Sequence, residues 1–369
     1  MANRQYTMWM CSALSKYAEV FLCVEKLVKS PAEVFRFYNV QPSFEIREIG
    51  PVRRPRSFWF AWRLAPWIAS EQPTLIYLSD IKLLSHLRRF ARRANYVYDT
   101  ENLPSELGRY LACLGSARAV VCYNQFFQKA LMELGVDPGK IIIAPSGVKL
   151  EDYRTNVDTK ILRRELGLPL ENKIVMYTGH FYEWKGADVL LRAALQLKAG
   201  TEVFLIGGKE ADVQRMTALA AETGSSNVHF IPFQPPGLIP KYQQAADVMI
   251  LPNVNASEHS SYYTSPLKLF QYMAAGKPIV ASDLPSVRTV LNADNAYLVP
   301  PNDPQALAQG IRDALSQQQL STRKAERARE DVKQYTWEKR AEKILNFVSE
   351  TSPKLEKRVA SGAVSYSDG

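Results

Sequence analysis

A chain of 369 residues is longer than one ordinary core requires and divides into two domains of conventional size. Hydrophobic residues make up 46% and charged residues 22%, which excludes disorder of the whole chain, and no apolar run approaches the roughly 18 residues of a membrane-spanning helix. The 46 basic residues against 37 acidic ones give a formal charge of +9, so the expected partner is anionic: nucleotide, nucleic acid or lipid headgroup.

No secretory leader is expected at Met1, and residues 4–17 read as a helix. Doubly wound domains ordinarily open on a strand. A central first strand and a small-residue loop are therefore expected upstream of Met1, and without them neighbouring strands keep open hydrogen-bonding edges. β-Branched or aromatic runs follow at 18–24, 44–49, 74–79, 96–99, 119–123 and 141–145, and in a second series at 173–179, 202–208, 228–233, 247–252 and 278–282. Several are nearly unbroken apolar runs, as in strands buried on both faces of a parallel sheet. Helical spacing fills the intervals, for instance 187–198, 210–223 and 304–315. Two series of strand–helix units predict two doubly wound α/β domains, with a polar join near 149–172. A last helix over about 336–350 precedes a polar tail expected to be disordered. Cys11, Cys23, Cys113 and Cys122 are too few and too scattered for a disulfide framework or a zinc cluster, and read as small buried hydrophobes in a reducing compartment.

In open α/β sheets ligands bind beyond the carboxyl ends of the strands, so those junctions carry the chemistry. In YTSPLKLFQYMAAGKPIVAS (263–282), Thr264 or Ser265 suits a helix cap, Pro266 its first turn and Gly276 its exit. Such a helix N-terminus offers free amides and a positive dipole end to an anion. Lys268 stands in that first turn, where only a nearby anion makes a cation favourable, and Gln271 shares its face. A diphosphate accounts for both residues; a well-capped surface helix is the alternative. The junction YTGHFYEWKGADVLL (177–191) places His180 and Lys185 in a loop between Gly179 and Gly186, where both can meet a phosphate or His180 can be an ordinary loop residue. At YVYDTENLP (96–104), Asp99 and Glu101 sit at a strand end, where a carboxylate can orient a sugar hydroxyl or move a proton, or where Glu101 is simply solvated.

The stretch PVRRPRSFWFAWRLAPWI (51–68) sets Arg53, Arg54, Arg56 and Arg63 beside Trp59, Trp62 and Trp67, and Arg88, Arg89, Arg92 and Arg93 add a basic helical face. Interleaved cations and aromatics suit an anionic membrane surface, single-stranded nucleic acid, or an amphipathic helix whose tryptophans are core. No nucleic-acid motif accompanies them. GxSxG, Walker, GxGxxG, HExxH and CxxC patterns are all absent, which removes serine hydrolases, P-loop NTPases, classical dinucleotide dehydrogenases and zinc proteases.

TSPLKLFQYMAAGKPIVASDLPSVRTVL (264–291) resembles the donor-site signature of GT-B glycosyltransferases of the retaining family 4, also described as glycosyl transferases group 1. YTGHFYEWKGADVLL, FIPFQPPGLIPKYQQAADVMILPN (230–253), IIIAPSGVKLEDY (141–153), ADNAYLVPPNDPQALAQGI (293–311) and YTWEKRAEKIL (335–345) are similar to the same family. The resemblance implies two Rossmann-like domains facing a cleft. Residues 1–153 form the acceptor side, lacking its first strand, and 172–336 bind a nucleotide-diphosphate sugar. A helix at 337–350 crosses back to the first domain, and 352–369 form a disordered tail. It further implies transfer with retention to a carbohydrate or lipid-linked acceptor, by a cytoplasmic, membrane-associated enzyme with no obligatory metal or other cofactor and no nucleic-acid partner. Catalytic roles would fall to Lys185, Lys268, Glu101 and His180, and donor binding to Gly179, Tyr263, Thr264, Ser265, Pro266, Leu267 and Gln271. Many relatives carry an arginine at the position of His180, two glutamates at those of Tyr263 and Gln271, and a histidine at that of Glu101. A non-catalytic nucleotide-sugar or glycan-binding relative, and a basic nucleic-acid-binding protein, are the alternative functions.

Overall fold

The computed structural model describes residues 2–100, 103–153, 158–351 and 363–365. The chain forms two compact units, Met1–Pro145 with Trp337–Gly369, and Ser146–Thr336. In the first unit the strands β1 (Val20–Val24), β2 (Glu45–Glu48), β3 (Leu75–Leu78), β4 (Tyr96–Asp99), β5 (Ala119–Cys122) and β6 (Ile141–Ile143) join one parallel sheet. β3, β4 and β5 are buried along their whole lengths, the physical reason that they read as unbroken apolar runs. β2 at the rim stays half-buried or exposed. The Ala2–Leu14 helix lies against the Trp337–Glu350 helix, with the Tyr6 and Trp9 rings 5.0 and 5.8 Å from that of Trp337.

The second unit is a six-stranded parallel sheet of β7 (Lys173–Thr178), β8 (Thr201–Ile206), β9 (Val228–Ile231), β10 (Val248–Leu251), β11 (Ile279–Ser282) and β12 (Tyr297–Val299), in the spatial order β12-β11-β10-β7-β8-β9. The order reverses beside β7, so a topological switch point opens at the carboxyl end of that strand. β12 escapes sequence reading because it is a three-residue edge strand. The chain enters and leaves this unit at one place, where the Val148 amide donates to the Tyr335 carbonyl at 2.9 Å and Val148 bridges to Thr336. The division thus falls at Pro145, not at 153, because Val148, Tyr153 and Leu162 are buried in the second unit's core.

The central place in the first sheet that the sequence leaves open is filled. β13 (Ala363–Ser365) runs parallel between β1 and β3, with Val20 opposite Ala363, Leu22 opposite Ser365, and Val364 opposite Ile76. Two facing edges of unpaired amides and carbonyls provide the driving force. This corrects the expectation of a disordered tail over 352–369 at residues 363–365; positions 352–362 and 366–369 lie outside the described residues. All four cysteines are free and buried, and burial pushes the Cys23 and Cys122 thiols up to about 12.

Candidate active site

β7 ends at the switch point on a rigid anchor. The Thr178 amide donates to the Tyr272 hydroxyl at 2.9 Å, Gln243 Nε2 donates to Thr178 Oγ1 at 2.9 Å, and the Tyr153 hydroxyl donates to Gln243 Oε1 at 2.6 Å. Gly179 follows at φ 143°, and a Cβ there would lie 3.3 Å from the Tyr177 hydroxyl and 3.4 Å from Lys268 Nζ. Backbone conformation and space both call for glycine. Gly186, at φ 70°, closes the next turn so tightly on β10 that a Cβ would stand 1.8 Å from the Pro252 carbonyl. That contact fixes the turn carrying Lys185.

The Leu267–Ala275 helix opens beside this strand end. Its cap is Pro266, with no side-chain hydrogen bond, and its exit is Gly276 in the left-handed conformation. The expected cap by Thr264 or Ser265 is therefore corrected. Ser265 Oγ instead accepts from the Ser146 amide at 3.0 Å, and Thr264 Oγ1 donates to Ser286 Oγ at 3.2 Å. No side chain caps this N-terminus: the Leu269 amide turns back to the Pro266 carbonyl at 2.9 Å, and the preceding amides of Leu267 and Lys268 are the ones an anion can meet.

Lys268, in that first turn, is buried, and its Nζ has no hydrogen-bond partner. The ammonium rests 3.9 Å from the centre of the Tyr177 ring. Burial pushes its pKa well below the ordinary lysine value, and the charge of Lys185 pushes it further. Lys185 Nζ sits 3.5 Å over the Trp184 ring, and burial lowers its pKa to about 7. His180 stacks on Tyr182 with ring centres 5.1 Å apart; its Nδ1 is buried without a partner. Burial is the largest cause of its lowered pKa, and the charges of Lys185 and Lys268 act in the same direction. Three basic groups stand together here; among the described residues none of them hydrogen-bonds or ion-pairs with a carboxylate, and only the more distant Asp212 acts on His180 in the opposite direction. The arrangement is an electrostatic demand for an anion.

Gln271 lies one helical turn beyond Lys268 and is 8% exposed. Pro266 is buried, Leu267 and Tyr263 half-buried. The structure thus gathers Gly179, His180, Lys185, Lys268 and the 263–271 segment around the ends of β7 and the helix. Glu101 lies outside the described residues. Asp99 is not available to a hydroxyl of any ligand: it is buried and accepts from Arg340 Nη2 at 3.0 and 3.1 Å as well as from the Tyr6 and Tyr77 hydroxyls. Two residues were missed. Tyr177 supplies the ring under Lys268, and its hydroxyl donates to the His180 carbonyl at 2.6 Å. Asn253, beyond β10, is fully buried with both amide atoms unpartnered. Tyr177 looked like an ordinary strand residue and Asn253 an ordinary loop polar, so the sequence carried no signal for either. Among the described residues no group of three or more His, Cys, Asp or Glu side chains could hold a metal ion.

Residues 158–331 match the family model described as Glycosyl transferases group 1. The match spans most of the second unit. The chain is 26% identical over 317 residues to a D-inositol 3-phosphate glycosyltransferase of Xylanimonas cellulosilytica, covering 82% of this chain and 72% of that one. It is 30% identical over 243 residues to the protein of the same name in Corynebacterium urealyticum, covering 62% of this chain but 56% of the relative, little more than half its length. Among solved structures, Anabaena Alr3699/HepE in complex with UDP superposes with a TM-score of 0.77 at 17% identity, covering 94% of this chain and 96% of that one. Sucrose-phosphate synthase from Thermosynechococcus elongatus does so at 0.74 and 20%, covering 94% and 92%. At these identities the likeness establishes the fold, GT-B, with its two Rossmann-like domains.

Proposed function

We propose that the chain is a glycosyltransferase whose second unit binds the diphosphate of a nucleotide-diphosphate sugar against the open N-terminus of the Leu267–Ala275 helix, and that it transfers the sugar to a carbohydrate or lipid-linked acceptor with retention. The observation that carries this reading is the buried ammonium of Lys268, unpartnered and beside a helix end already positive. A diphosphate satisfies both. Lys185 and Lys268 then neutralise the charge that grows on the leaving diphosphate as the glycosidic bond breaks, a preorganised stabilisation supplied by side chains without an obligatory metal. His180 donates to the same phosphates, and Gln271, one turn along, hydrogen-bonds the nucleotide ribose. Backbone groups of Tyr263, Thr264, Ser265, Pro266 and Leu267 complete the donor site, and Gly179 lets the donor approach the strand end. The UDP complex of a protein of the same fold supports the donor class. Four free, buried cysteines fit a cytoplasmic, reducing setting, with peripheral attachment to the inner membrane face.

Calorimetric titration with UDP, GDP and ADP, followed by turnover on a panel of donors, tests this. Binding of a nucleoside diphosphate with sugar transfer is the expected result, and the anomeric configuration of the product, read by NMR, reports on retention. Binding without turnover on any donor would favour a non-catalytic relative. No binding at all would remove the donor site.

A further inference from the structure

The helices Arg56–Glu71 and Ile81–Phe90 of the first unit pack together and turn Phe60, Ala61, Leu64, Ile68, Ile81, Leu83, Leu84 and Leu87 inward. Trp67 packs on Phe21 of β1, with ring centres 5.6 Å apart, and the other aromatics lie outside that core. Trp62 is 52% exposed, and Phe58, Trp59, His86 and Phe90 are half-buried. These form one row: the Phe58 ring lies 5.6, 5.4 and 5.5 Å from those of Trp59, His86 and Phe90, and Trp59 lies 5.5 Å from Trp62. Arg53 lies 5.9 Å over the Trp59 ring, and Arg54, Arg63, Arg89, Arg92 and Arg93, on the same two helices and their flanks, are all exposed.

The charge balance is one-sided. From Arg53 to Arg93 the chain has nine basic residues and two acidic ones, Glu71 and Asp80. Neither acid neutralises the face: Glu71 pairs with Arg47 at 3.8 Å, while Asp80 caps the second helix and accepts from Ser57 Oγ. Arg56 is paired with Glu25, and Arg63 donates to the Ile49 carbonyl at 3.4 Å, which leaves its charge unneutralised.

We infer that this face is a docking surface for an anionic lipid bilayer, with Trp62 and Trp59 entering the headgroup–acyl boundary and the arginines lying among lipid phosphates. Single-stranded nucleic acid uses flat, open rings, whereas here the rings meet one another edge-on, at 90° for Phe58 and Trp59 and 81° for Trp59 and Trp62. The inference does not depend on the sugar-transfer chemistry.

The full chain is sedimented with vesicles of phosphatidylcholine, and with vesicles of phosphatidylcholine and phosphatidylglycerol, at low and high salt. The wild type partitions onto the anionic vesicles and is released by salt. Arg89→Glu, Arg92→Glu and Arg93→Glu combined, all at exposed positions, lower partitioning on the order of 100-fold. Trp62→Ser weakens it less and removes part of the fluorescence quenching by brominated acyl chains. Thermal melts of both variants match the wild type. Equal binding to both vesicle types, or full binding by the triple variant, would overturn the proposal. So would capture of oligo(dT) without vesicle binding, or concentration-dependent dimerisation in its place.

Discussion

Both units bury a cation near the carboxyl end of a parallel sheet, and they treat it in opposite ways. In the first unit Arg340 is enclosed by acceptors: Asp99 takes two of its hydrogen bonds, the Tyr77 hydroxyl one at 2.8 Å, and the Pro145 carbonyl one at 3.0 Å. In the second unit Lys268 is buried too, and among the described residues it has no hydrogen-bond partner but the face of Tyr177 beneath it. A satisfied buried charge is a structural fastener. An unsatisfied one is a site waiting for its counter-ion. Arg340 belongs to the Trp337–Glu350 helix, so its pair with Asp99 ties that helix to β4.

The largest expected effect breaks the fastener. Asp99→Ala leaves Arg340 buried without a counter-charge and should lower the stability of the first unit by about 3–5 kcal/mol. Urea unfolding followed through Trp337, which packs on Tyr6 next to the pair, measures it. An unchanged midpoint would show that the pair fastens nothing. Lys268→Met should behave oppositely, keeping or raising the stability of the second unit, because it removes an unpartnered ammonium.

The next effect is on binding. Lys268→Met and Lys185→Ala should each weaken nucleoside diphosphate affinity by about 1.5–3 kcal/mol, roughly 10- to 150-fold, the worth of one charge-assisted hydrogen bond. Equal affinities in wild type and both variants, read by calorimetry, would separate the unsatisfied cation from any ligand. The Asp99 variant, measured where it remains folded, should bind normally.

The contrast also has a pH signature. Lys185 has a folded-state pKa of about 7, below the ordinary lysine value. Between those two values the unfolded chain binds more protons, so this group's contribution makes stability rise with pH above about 7 in the ligand-free protein. Diphosphate binding needs the ammonium, so above pH 7 it must take up a proton and its affinity should fall. Calorimetry in buffers of different ionisation enthalpy reads that uptake directly, and Lys185→Ala should reduce it.

Much of this was legible in the sequence, and the limits are physical. β4, YVYD, was read at its true ends because it is buried on both faces, and Gly276 marked its helix exit by the backbone conformation that it alone favours. Lys268 stood out because a cation in a first helical turn conflicts with the dipole. Asp99 did not announce its partner, since Arg340 is 241 residues away and only the folded chain brings them together. β13 was equally invisible: a run of three residues with one β-branched member, Val364, is too short to carry a strand signal, and it pairs because two open edges surround it. The missing cap at Ser265 has a similar cause, for its hydroxyl is taken by Ser146, 119 residues earlier.

The smallest expected effect sharpens the comparison at Gln271, the position where an acid would give Lys268 a partner on its own helix. If the Gln271 side chain meets the ribose, Gln271→Glu should tighten nucleotide-sugar binding several-fold, because an ionised acceptor makes stronger hydrogen bonds than an amide. Two effects oppose it. The position is 8% exposed, so a carboxylate there loses hydration, and it repels the bound diphosphate. Lys268, three residues earlier on the same face, offsets both, and one helical turn separates position 271 from the phosphates. The ribose contact should therefore prevail. In the ligand-free protein the same substitution should raise the pKa of Lys268 towards its ordinary value, turning the unsatisfied cation into a fastened one like Arg340. Calorimetry with the preferred donor decides. A loss of affinity in the variant would mean that the new carboxylate serves Lys268 and not the ribose, and that position 271 takes no part in holding the nucleotide.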